Sequence, residues 1–86
     1  MSSKLKALHA WHNDGVESVD LKAGTHTETI YYGPHKTLDE LKDPVAWHKN
    51  WVGILDGMQE RHAGVTVEGL PELRAFHDEA AHLLTK

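Results

Sequence analysis

His77 and His82 bracket the stretch HDEAAH, one residue longer than the H-E-x-x-H pattern by which a helix presents two imidazoles to zinc. Zinc ligation from a helix wants histidines four apart on one face. Five apart turns the second by about 140° around the axis, so an unbroken helix cannot bring both to one ion. Glu79 and His82 form a single E-x-x-H, the spacing of di-iron carboxylate bundles, but such sites need a second copy and two further glutamates. His9 and His12 are three apart and read as a solvent-exposed pair. Spacing says nothing about histidines that converge from separate segments.

Nucleophilic chemistry has little to draw on. The serines are Ser2, Ser3 and Ser18, none in a G-x-S-x-G elbow, and there is no cysteine. No G-x-G-x-x-G or Walker loop is present to hold a phosphate. Eight histidines and thirteen carboxylates would form an acid–base pair by chance, so their presence decides nothing. A chain of 86 residues also has little volume for a closed substrate pocket of several hundred Å3. The expectation is a protein without catalysis or cofactor.

The elements that must position these side chains centre on residues 43–62, DPVAWHKNWVGILDGMQERH. Asp43 before Pro44 is a helix opening: the carboxylate caps free N–H groups, and proline lacks the N–H that the first turn cannot use. Trp47, Trp51, Ile54, Leu55, Met58 and His62 recur at helical steps and form one stripe, with Gly64 as a left-handed stop. Gly53 and Gly57 have the small-x-x-x-small spacing, at about 1 kcal/mol each against alanine. They imply a close approach, a kink or an early helix end. Packing against the sheet or last helix is the simpler reading, homodimerisation through that face the alternative.

Ser2 or Ser3 caps a first helix running to about Asn13. Residues 16–21 and 26–32 read as two strands joined through Lys22-Ala23-Gly24-Thr25, an antiparallel hairpin. Strand alternation turns Ile30 and Tyr32 inward and leaves Tyr31 outside with Thr27 and Thr29. Thr37-Leu38-Asp39-Glu40 fits a capping box opening a short helical turn. Residues 65–67 suit a short third strand on the hairpin edge. Gly69-Leu70-Pro71 opens a last helix with Leu73, Phe76, Ala80, Leu83 and Leu84 on its stripe. The expected fold is one α+β domain over 1–86: N-terminal helix, hairpin with a short third strand, and central and C-terminal helices on one sheet face.

The composition, 40% hydrophobic and 26% charged, is that of a globular chain. No run approaches the ~20 apolar residues of a membrane helix and no signal-peptide core is present, so a soluble cytoplasmic protein is expected. Net charge is −4 with scattered lysines and arginines, which disfavours nucleic acid and favours a partner protein with a basic surface. Acidification to about pH 5.5 would add several charges on histidines and could reverse the sign.

Residues 65–73, VTVEGLPEL, resemble the strand-then-helix opening of some phage tail-completion proteins. The helix–hairpin–helix order up to about Leu55 is similar to small phage head–tail joining proteins. Each likeness covers a fragment; together they imply a small protein of phage or mobile-element origin, host-cytoplasmic if viral. Three tryptophans exceed what so small a core needs, and exposed tyrosine and tryptophan are favoured interface anchors. The expected function is therefore a protein-binding module, an inhibitor or anti-defence factor, gripping its partner through Tyr31, Trp47 and Trp51 beside Asp39, Glu40 and Asp43. A structural phage assembly component and a histidine-dependent metal-binding protein are the alternatives.

Overall fold

The computed structural model describes residues 3–34 and 36–85; the Ser2 cap lies outside them. Helix α1 (Ser3–Asn13) leads into strands β1 (Ser18–Ala23) and β2 (His26–Tyr31), a 3-10 turn (Leu38–Glu40), helix α2 (Pro44–Arg61), strand β3 (Val67–Glu68) and helix α3 (Leu70–Leu84). The sheet runs β2-β1-β3, antiparallel throughout. The expected α+β architecture is the one observed.

The hairpin is tighter than the sequence suggests. Lys22 and Ala23 stay in β1, paired with Thr27 and His26, so the loop is Gly24-Thr25 alone. Gly24 at φ 64 with no positive φ at Thr25 is the pattern of a II′ turn, whose twist matches the strands. Alternation then works as expected. Ile30 is buried, while Thr27, Thr29 and Tyr31 stand on an outer face that no helix covers. Thr29 donates to Asp20 there at 2.8 Å.

Asp43 Oδ1 accepts from the Ala46 N–H at 3.1 Å with Pro44 opening α2, and Glu40 accepts from both the backbone N–H and the hydroxyl of Thr37 at 2.9 Å. The inner sheet face (Leu21, Ala23, Ile30) meets Leu55 and Met58 of α2, Val67 of β3 and Leu70 of α3 in the main core. A second cluster of Leu8, Leu38 and Ala80 joins α1, the 3-10 turn and α3. An Arg74–Asp56 ion pair at 2.6 Å fastens α3 to α2 from outside.

Two expectations for α2 are corrected. Its buried side is defined by His48, Leu55 and Met58, and Ile54, which the stripe included, is turned out to 37% exposure. The helix also runs unbroken past Gly57 to Arg61. Among the described residues, and α2's own adjoining backbone aside, no atom lies within 4 Å of where a Cβ on Gly53 would sit, and at Gly57 only the Arg61 side chain approaches. Neither the sheet nor α3 packs on those glycines.

Candidate functional site

Where the three helices meet, imidazoles from each are buried together. His12 of α1 is 4% exposed, and His48 of α2 and His77 of α3 are fully enclosed. The Tyr32 hydroxyl lies 2.7 Å from His77 Nε2, His77 Nδ1 lies 2.8 Å from His48 Nδ1, and His48 Nε2 lies 3.0 Å from His12 Nε2. A neutral imidazole carries one donor and one acceptor. The row is therefore satisfied with all three rings neutral, if each bond points the same way. The opposite direction serves equally well. His12 thus corrects the expectation of an exposed His9–His12 pair: it is a core residue, tolerated there because its partner is another imidazole.

Each histidine follows an aromatic residue: Trp11-His12, Trp47-His48 and Phe76-His77. Consecutive residues lie about 100° apart around a helix, so each aromatic flanks its own histidine, with ring centroids 4.8–5.1 Å apart. Tyr32 enters from the end of β2, stacking on Trp47 at 5.6 Å and meeting Trp51 edge-on at 4.7 Å. The tryptophans that looked surplus to the core form the jacket of this polar row. Trp51 packs inward against the main core, and its indole N–H is buried without an acceptor.

Burial dominates the electrostatics. It pushes His48 down to about 3, with the neighbouring His77 and His12 adding repulsion, and His77 down to about 4, with His12 adding. It pushes the Tyr32 phenol up. Every group in the row with a resolved shift thus favours its neutral form. No group of three or more His, Asp or Glu among the described residues is arranged to hold a metal ion. The reason is visible in the row: His48 turns one nitrogen to each neighbour, so the three rings share no common centre. His82 is exposed and His77 buried, so the HDEAAH pair is split as helical geometry requires.

A cavity of ≈ 180 Å3 opens beside the row, between Trp11 and Trp47, with His12, Tyr32, Leu41 and Lys36 in its wall. Through Lys36, Leu41 and Trp47 it adjoins a shallower groove of ≈ 500 Å3 at the start of α2, lined also by Glu40, Asp43, Ala46 and Asn50. Three of the residues singled out from the sequence, Trp47, Glu40 and Asp43, therefore share one surface, with Asp39 exposed on the adjoining 3-10 turn. Tyr31, 65% exposed, stands on the outer sheet face instead.

A second polar cluster closes the far end of α2. The Glu28 carboxylate accepts from His62 Nε2 at 2.8 Å, with Arg61 at 3.8 Å and His26 at 4.0 Å. The hydrogen bond from His62 is the main reason Glu28 sits below the usual carboxylate range; burial works against it, and Arg61 and His26 add to it.

Compared with known proteins, the chain matches no family model, no curated protein and no solved structure. None of the described helices is long and apolar enough to cross a membrane.

Proposed function

We propose that this chain is a small acidic binding module that grips another protein and performs no chemistry of its own, acting as a stoichiometric inhibitor or immunity-type factor. The observation that carries this reading is the continuous surface at the start of α2: a groove whose floor passes Trp47 and Leu41 into a cavity beside Trp11. A recess next to half-buried aromatic rings and rimmed by polar side chains is the anatomy of an interface hot spot. His48 and His77 are enclosed beyond the reach of a substrate. Net charge of −4 and the exposed Asp39, Glu40 and Asp43 favour a partner that approaches with a basic face.

The test uses exposed helix positions, so the fold is preserved. Immobilised wild type and an Ala46→Arg/Asn50→Arg variant are used to capture protein from the source cells, with Ala75→Arg on α3 as control. A protein held by wild type and the control but lost from the groove variant is the expected result. Equal capture by all three refutes this face. Self-association is the one alternative the geometry favours, because the exposed Gly53 strip leaves room for a second helix. A light-scattering mass that doubles with concentration in wild type but not in Gly53→Leu would carry it.

A further inference from the structure

We infer that the cavity between Trp11 and Trp47 is a binding site for a small molecule consisting of one aromatic ring bearing a carboxylate. This goes beyond the docking reading, in which the cavity only extends the outer groove and needs no ligand of its own.

Size comes first. A dry cavity of about 150 Å3 accepts benzene, so ≈ 180 Å3 admits one six-membered ring with a short substituent. The wall then selects a flat occupant. Trp11, Tyr32 and Trp47 line it, joined by the aliphatic Val16 and Leu41, and aromatic walls favour an inserted ring met edge-on or offset. Aromatic walls alone would suit an organic cation equally well. Charge decides between them. Among the described residues the lining contains no carboxylate, and its one fixed charge is the Lys36 ammonium. Lys36 makes no ion pair or hydrogen bond within the described residues. Glu40 and Asp43, which share the outer groove with it, keep their charge but do not line this cavity; their oxygens are held by Thr37 and by the Ala46 N–H. A cation would meet a like charge at the mouth, whereas a carboxylate meets an unpaired ammonium while its ring fills the space between the indoles.

The probes are benzoate and benzylamine, of matched size and opposite charge, titrated into 15N-labelled full-length protein. The Trp11 and Trp47 indole N–H signals serve as the readout. Benzoate is expected to shift both saturably and at least tenfold more tightly than benzylamine. Lys36→Ala, an exposed change, should weaken benzoate by roughly fivefold, and 0.5 M salt should do the same to wild type. Val16→Phe fills the cavity from its wall and should abolish the response. The inference is overturned if benzoate leaves both indoles unmoved, if benzylamine binds as well, or if Lys36→Ala leaves benzoate affinity unchanged. Ala46 and Asn50 do not line this cavity, so the partner-capture variants fail or succeed independently of it.

Discussion

Acid should destabilise this protein across a window that lies above the ordinary carboxylate range. His48 and His77 are neutral in the folded state, held down to about 3 and about 4 chiefly by burial, while in the unfolded chain each returns to about 6.5. Below pH 6.5 the unfolded chain therefore takes up two protons that the folded chain refuses, and stability falls with falling pH. Between pH 7.5 and 5.5 each group contributes a loss of about 1.4 kcal/mol, or about 2.7 kcal/mol for the pair. A domain of this length has roughly 4–13 kcal/mol in all, so the loss is a large share of the total. The row can accept a first proton without breaking a bond, because a doubly protonated His48 would donate to both neighbours. A second proton sets like charges across a link of 2.8 or 3.0 Å. Urea unfolding followed by circular dichroism at pH 7.5, 6.5 and 5.5 measures the effect. At a slope of roughly 1 kcal/mol per molar urea the midpoint should drop by about 2–3 M. Stability flat to within about 0.5 kcal/mol over that range would show that the buried imidazoles are not held neutral, and the reasoning would fail.

Two further outcomes follow from the same geometry. Tyr32→Phe removes the hydroxyl bonded to His77 Nε2 and leaves a buried nitrogen unpaired, which should cost about 1–3 kcal/mol in urea unfolding at pH 7.5. Gly69→Ala forces a left-handed residue at φ 82 and sets its Cβ 3.3 Å from Leu21 Cδ2; a loss of about 1–2 kcal/mol is expected by thermal or urea melting.

The sequence exposes this architecture unevenly, for identifiable reasons. Caps are local, so Asp43-Pro44 and Thr37…Glu40 could be placed without knowing the rest of the chain. Strand alternation is equally local, and it turned Tyr31 outward and Ile30 inward correctly. The row of imidazoles is not local. His12, His48 and His77 are 36 and 29 residues apart along the chain, and periodicity counts each as a polar residue belonging outside. Histidine can be buried when its partner is another histidine, and none of these three lies within fifteen residues of another. The usable signal was the aromatic–histidine dipeptide, present once in each of three helices, which marks an imidazole whose flank is already apolar. Gly53 and Gly57 show the reverse limit: the spacing marks a face open to close helix contact, but neither the sheet nor α3, the partners it suggested first, packs on it.

The hydrogen-bonded row has a sense, and that sense can reverse without any heavy atom moving. If the protons on its three bonds each cross to the next ring while the Tyr32 oxygen regains one proton and His12 gives up the one on its other nitrogen, each ring exchanges its tautomer and the dipole along the row turns end for end. The interior of this small domain can thus hold two electrically distinct orientations in one and the same shape. A charge arriving at the Trp11–Trp47 opening would lower one of them relative to the other, so that occupancy outside is written into the tautomers within.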